Sequence, residues 1–276
     1  MHRKVSLELA ARHDLSWFNF ASSTGTKLHR YVILVFKQSA KIDAQSIPSG
    51  TLKDRLGFNT RALIAQHKLS LVAGNFYLAQ CDDSVRERRA KLVEAAFKTH
   101  QVVPDVVDQV PKFCAEVVYP NGTLILSHGE ELTPTVVKDI PAVFAWPAEA
   151  DALYTVLFVD PDAPSRADPR LGQFLHWQVV NVKGNDISTG DTIVEFIGSG
   201  PPKDTGLHRY AFLVYRQSGK INWTKERISN KSASGRSNFK VRDFVKEHHL
   251  GELVAGSLYQ AQFDDYCPLL HAQLGF

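Results

Sequence analysis

Two stretches of this chain occur twice. Leu28-His-Arg-Tyr-Val-Ile-Leu-Val-Phe-Lys-Gln-Ser-Ala-Lys-Ile42 returns as Leu207-His-Arg-Tyr-Ala-Phe-Leu-Val-Tyr-Arg-Gln-Ser-Gly-Lys-Ile221. Leu71-Val-Ala-Gly-Asn-Phe-Tyr-Leu-Ala-Gln-Cys-Asp-Asp83 returns as Leu253-Val-Ala-Gly-Ser-Leu-Tyr-Gln-Ala-Gln-Phe-Asp-Asp265. The order is kept and the offset changes by only a few residues. The period is far longer than that of a solenoid, so the chain reads as a duplication with a partial first copy. That copy has no counterpart to Thr99–Pro202. A strand pair without its sheet partners exposes open edges and apolar faces. Residues 24–84 alone bury too little apolar surface to offset chain entropy. Three parts follow: a partial repeat over 1–84, a linking helix over 85–98 and a complete domain over 99–276. Residues 1–84 are expected to pack on the complete domain, to be loosely ordered, or to compete with 207–265 for one place in a sheet.

The complete part is patterned mostly as strand. Ala115–Tyr119 and Thr123–Leu126 flank Pro120-Asn-Gly, a tight-turn signal, and predict a hairpin. Ala142–Trp146 is a short strand bounded by prolines. Leu153–Val159 is continuously apolar and suits a central strand buried on both faces. Phe174–Val182, Thr192–Ile197 and Tyr210–Tyr215 continue the series. Phe239, Val241, Phe244, Val245 and His248 have helical spacing, with Ser237 or Asn238 as N-cap. The sum is a mainly β domain with peripheral helices.

Bulk properties narrow the function. The 276 residues carry a net charge of +3, which disfavours a nucleic-acid surface with its concentrated basic patch. The basic run Arg86–Lys91 alternates with Glu87 and reads as a solvated helix face. Cys81, Cys114 and Cys267 form no CxxC pair, so a zinc ribbon and a thioredoxin motif are excluded. Reduced thiols fit a cytoplasmic location. The first residues lack the apolar run of a signal peptide, and no stretch has the length of a membrane span. His248-His249 and Trp17-Phe-Asn-Phe20 call for no functional explanation.

Four segments carry chemistry. Asp160-Pro-Asp-Ala-Pro-Ser-Arg166 follows the buried strand and holds two acids and an arginine on one stiff turn. One acid is expected to pair with Arg166, the other to orient a histidine. His176 lies inside a strand among aromatic residues. Gly198-Ser-Gly-Pro-Pro202 permits close backbone approach, and its N–H groups are able to face an anion. Gly206-Leu-His-Arg-Tyr210 places His208 at the start of a strand.

In this order these segments resemble the signature blocks of the phosphatidylethanolamine-binding protein (Raf kinase inhibitor protein) family. The resemblance extends over 99–276 and includes Glu131-Leu-Thr-Pro, Lys183-Gly-Asn-Asp-Ile-Ser and Asp264-Asp-Tyr266. It implies a large antiparallel sheet packed on a smaller one, with a small cavity near one end and a C-terminal helix beside it. It implies a ligand site lined by Asp160, Pro164, His176, Gly198, Gly200, Pro201, His208, Tyr210 and Tyr266. Two imidazoles that donate hydrogen bonds, made cationic near neutral pH by Asp160, would suit an anion. Phosphate, a phosphatidylethanolamine head group or a short acidic ligand is the implied class, without a cofactor. A protein kinase or protease partner and peripheral membrane contact are further implications. Leu171 and Phe174 stand where many family members have Tyr and Trp, which makes the rim more apolar. Ser84 stands at the place of Tyr266 in the first copy, which has no Asp-Pro-Asp block and cannot form a second site.

Other functions stay open. Ser165, His176 and Asp160 are the makings of a hydrolase, though the Gly-x-Ser-x-Gly elbow is absent. His176, His208 and Asp160 meet the minimum count of metal ligands. A poorly functional duplicate is the third alternative.

Overall fold

A computed structural model describes residues 29–43, 58–79 and 83–276. Strands β1 (His29–Lys37) and β2 (Ser70–Ala79) come from the first copy, with helix α1 (Thr60–Gln66) between them. Helix α2 (Asp83–Thr99) is the expected linking helix, and α3 (Val102–Asp105) follows it. Next come β3 (Phe113–Cys114), β4 (Glu116–Val118), β5 (Val143–Ala145), β6 (Leu153–Asp160), β7 (Phe174–Lys183) and β8 (Asp191–Val194). The chain ends with β9 (His208–Arg216), α4 (Val241–Glu247), β10 (Leu253–Ala261) and α5 (Cys267–Leu274).

Six strands form one sheet in the order β3-β10-β9-β6-β7-β8. Its pairs are antiparallel except at one edge, where β3 runs parallel to β10, so the sheet is mixed rather than wholly antiparallel. The apolar run of β6 is buried on both faces, as its pattern predicts. On one face, Val117 and Phe144 of the small β4–β5 sheet pack with Trp146 against Phe158, Trp177 and Phe212. The Phe158 and Phe212 rings stack at 4.0 Å. On the other face, Val93 and Phe97 of α2 and Val241 and Phe244 of α4 cover Leu157, Ala211 and Leu213.

Three local expectations change. The 115–126 hairpin is reduced to a single bridge between Val118 and Leu124, because β4 pairs with β5 instead. The strand expected over 192–197 ends at Val194, since the Glu195 N–H turns to the Ile228 carbonyl and the Ile197 N–H to the His176 carbonyl. Helix α4 begins after Lys240 rather than at a Ser237 or Asn238 cap. Asn238 takes φ 57°, and the Gln173 side chain accepts from the first helical N–H, that of Val241, at 2.9 Å.

The repeat is also a repeat of register. His29 faces Ala79 as His208 faces Ala261, and Tyr31 faces Tyr77 as Tyr210 faces Tyr259. The same irregularity precedes Phe36–Leu71 and Tyr215–Leu253. The tyrosine rings stack in both copies, at 4.9 and 5.3 Å. Yet β1 and β2 pair only with each other among the described residues. Val32, Val72 and Phe76 are 61–64% exposed. The hairpin therefore stands outside the six-stranded sheet. Residues 1–28, which include Trp17–Phe20, and residues 44–57 and 80–82 lie outside the described residues.

What fixes the end of β6 is a buried charge clamp. Arg209 Nε and Nη2 donate to Asp162 at 2.6–3.2 Å, and the Arg209 backbone N–H donates to the same carboxylate at 2.8 Å. Its Nη1 reaches the His100 and Gln101 carbonyls and Asp105. The expected Arg166 pairing does not form: Arg166 donates to Gln101 Oε1 at 3.0 Å, because Arg209 already fills the Asp162 side of the turn. Removing one partner of a buried ion pair costs about 3–5 kcal/mol, since the other charge is left bare. Arg209→Met is thus expected to destabilise by that amount in urea unfolding. Arg30→Met, at the matching and exposed position of the first copy, should cost within about 0.5 kcal/mol. Equal losses would sink the clamp.

Candidate ligand-binding site

The C-terminal end of β6 meets the N-terminal ends of β7 and β9, because all three pair antiparallel. A cavity of about 290 Å³ opens there. It brings together six of the nine expected residues: Asp160, Pro164, His176, Gly200, His208 and Tyr210. Leu171 and Phe174 also line it, on the apolar rim expected for them. Gly198 and Tyr266 instead line a second, larger groove of about 680 Å³, and Ile197 and Leu270 form the wall shared by the two. Pro201 is buried and lines neither. The C-terminal helix that the resemblance sets beside the cavity is α5, and it supplies lining residues that sequence reasoning did not name: Leu270, His271, Leu274 and, at the chain end, Phe276. A signal was present: Pro268 at the helix start, Leu270 and Leu274 four residues apart, and Gly275 in the left-handed cap position.

The two histidines hold opposite protonation. His208 Nδ1 lies 2.8 Å from Asp160 Oδ2, and its Nε2 lies 2.9 Å from Thr205 Oγ1. Thr205 spends its one hydroxyl proton on the Pro202 carbonyl. It must therefore accept from Nε2, and both His208 nitrogens carry protons. Burial opposes that charge, but the hydrogen bond and charge of Asp160, joined by Asp162, outweigh it and raise the His208 pKa. His176 differs. Its Nδ1 donates to the Gly198 carbonyl at 3.0 Å and, more weakly, to Ile197. Burial lowers its pKa to about 4; Asp160 works against the shift and Arg236 with it. His176 is neutral at pH 7 and leaves a lone pair on Nε2. Two donating, cationic imidazoles were expected. The structure corrects this for His176, because burial outweighs both the charge of Asp160 and the backbone carbonyls that accept from Nδ1–H.

The glycines serve packing. A Cβ on Gly198 would lie 2.7 Å from Lys138 Cα, and one on Gly200 would lie 2.7 Å from Leu270 Cδ2. Ser199 between them bonds the Tyr259 hydroxyl at 2.6 Å. Arg236, fully buried, donates to the carbonyls of Leu175, Glu195, Ser229 and Ser232, and so fastens the 229–239 loop under His176. The hydrolase grouping does not assemble: Ser165 Oγ accepts the Asp168 N–H and caps a turn. The three metal-ligand candidates share the cavity but form no metal-holding group among the described residues, and His208 has both nitrogens engaged by Asp160 and Thr205.

Both histidines make stability depend on pH. The depressed His176 pKa means that the folded chain binds fewer protons than the unfolded one between about 4 and 6.5. Its contribution, on the order of 3 kcal/mol at about 1.4 kcal/mol per unit, is lost as pH falls through that window. The raised His208 pKa acts in the opposite sense: its contribution is complete below 6.5 and is lost as pH rises through the folded-state value. Urea unfolding between pH 4.5 and 8.5 should show both limbs. His176→Phe should flatten the acid limb and His208→Gln the alkaline one. An acid limb unchanged in His176→Phe would contradict the neutral assignment.

Known proteins agree with this architecture. The model of the family described as phosphatidylethanolamine-binding protein matches residues 121–260. "Putative odorant-binding protein A5" of Drosophila melanogaster is 39% identical over 178 residues, which cover 64% of this chain and 84% of that protein. The solution structure of CG7054 is 47% identical, covers 63% of this chain and 98% of its own, and has a TM-score of 0.54. A carboxypeptidase Y inhibitor, crystallised with its cognate proteinase, is 26% identical over 63% of this chain and 97% of its own, with a TM-score of 0.53. The chain belongs to the phosphatidylethanolamine-binding protein family.

Proposed function

We propose that the chain is a binding protein for a small amphipathic molecule, held with its polar head inward and its apolar body along α5. One observation carries this: the cavity is walled by carbon, from Leu171, Phe174, Leu270, Leu274 and Phe276, around a few convergent polar groups. Preformed cavities of this make-up are the usual sites for small ligands. The name of the Drosophila relative supports a small-molecule cargo. No catalytic role is proposed. A regulatory contact with a protein is the second reading; the protease-bound relative favours a protease over a kinase, and inhibition of carboxypeptidase Y is its direct test. Among the described residues no helix is long and apolar enough to cross a membrane. Cys114 and Cys267 are free thiols, which supports a cytoplasmic location.

A phosphate-type head, as on phosphatidylethanolamine, is the finer reading. Such an anion must draw His208 Nε2–H away from Thr205 or bring a proton to His176. Calorimetry with phosphorylethanolamine should therefore show affinity falling from pH 6 to pH 8, by up to about tenfold per unit where one proton is taken up. His176→Ala should weaken binding at pH 6. Affinity that is level with pH or unchanged in the variant removes the anionic head. The cavity itself is tested by N-phenyl-1-naphthylamine, a neutral fluorescent probe: Leu274→Trp should fill the space and abolish its capture.

A further inference from the structure

The two copies of the repeated ribbon differ in what covers them. In the second copy, one face of β9–β10 presents Ala211, Leu213, Tyr215, Leu253 and Leu258, all buried in the core that α2 and α4 complete. Near the middle of that face Gly256 stands opposite Leu213. A Cβ on Gly256 would lie 2.9 Å from both Phe97 Cζ of α2 and Pro111 Cγ, so the missing side chain makes a hollow in which a ring is seated. The first copy has the same face. Val32 pairs with Phe76, Leu34 with Gly74 and Phe36 with Leu71, in the register of Ala211 with Leu258, Leu213 with Gly256 and Tyr215 with Leu253. Residues directly opposite in an antiparallel pair share a face. Over Gly74, however, no other element stands among the described residues: a Cβ there would meet only β1, at Leu34 Cδ2 (3.2 Å) and the Ile33 carbonyl (3.5 Å).

A knob lies beside this hollow. Phe76, two residues along β2 and on the same face, stands where the second copy has Leu258, and it is 64% exposed. Val32, Leu34, Leu71 and Leu78 around it are 40–62% exposed. A surface that carries both an aromatic knob and a hollow able to seat one is complementary to itself, and a two-fold axis satisfies both at once. We propose that the chain forms a two-fold dimer in which the β1–β2 ribbons pack face to face, with each Phe76 seated over Gly74 of the partner subunit. The side chains of this face expose on the order of 500 Å², so two copies bury about 1,000 Å², the size at which specific interfaces begin. Charge does not oppose the contact. β2 has no charged residue, and by alternation Arg30, at the strand end, is the one charged residue that β1 gives this face. The opposite face is less suited, because the polar Asn75 pairs with Ile33 at its middle.

Sedimentation equilibrium of the full chain tests this. A monomer–dimer equilibrium with a micromolar dissociation constant is expected. Val32→Lys should raise that constant at least tenfold and leave the main urea unfolding transition unchanged, which a general loss of fold would not do. The knob and hollow are tested by mixing two variants, Gly74→Cys and Phe76→Cys. Under mild oxidation the mixture should cross-link into dimers faster than either variant alone. A chain that stays monomeric at every concentration overturns the dimer, whether residues 1–28 cover the ribbon or a different protein does. So does a dissociation constant unmoved by Val32→Lys, or a mixture that cross-links no faster than the separate variants.

Discussion

Two acids two residues apart, Asp160 and Asp162, are answered by two consecutive residues of another strand, His208 and Arg209. Neighbours on a strand point to opposite faces. His208 therefore turns toward the cavity and Arg209 toward the α2–α3 connection, where it also reaches Asp105 and two carbonyls. A buried ion pair adds little net stability, but half of one is strongly unfavourable. The effect of the arrangement is specification: β6 and β9 can take only the register that satisfies both acids at once. The 160–172 turn, held this way, supplies Ala163, Pro164 and Leu171 to the cavity wall.

The same clamp explains why two histidines in one cavity carry different charge. Asp160 faces both, yet only His208 bonds it directly. His176 feels Asp160 through space, against burial and the positive charge of Arg236. A direct hydrogen bond to a carboxylate outweighs desolvation; a longer-range attraction does not. The cavity therefore contains a compensated ion pair and a neutral ring, and its walls are otherwise carbon.

Much of this was legible in the residues. The apolar run of β6, the strands around it and the linking helix follow from periodicity, and the motif order identified most of the polar lining. What escaped depends on which distant groups meet. Nothing local to His176 says that the Ile197 and Gly198 carbonyls will take its Nδ1 proton. Arg166, on the same turn as Asp162, looked like its partner; Arg209, 47 residues away, is the partner in fact. Gly198 and Gly200 looked like an anion nest, but their freedom from side chains is used by Lys138 and Leu270. The resemblance set a C-terminal helix beside the cavity but not which of its side chains form the wall, because its docking is decided by Gly200 and Ile197.

The first copy separates what a hairpin encodes from what a site requires. β1 and β2 keep the register, the irregularity and the stacked tyrosines of β9 and β10 without the flanking strands, so those features are local to the paired sequences. An isolated two-stranded ribbon is marginal in water, and here both of its faces expose apolar side chains. The first copy repeats the His-Arg-Tyr of β9 as His29-Arg30-Tyr31, but it has no Asp-Pro-Asp turn to receive the histidine and arginine. In β9 the histidine is charged because Asp160 is there, and the arginine is buried because Asp162 is there. The first copy therefore repeats a shape without these contacts, since they reside in the meeting of β9 with the end of β6.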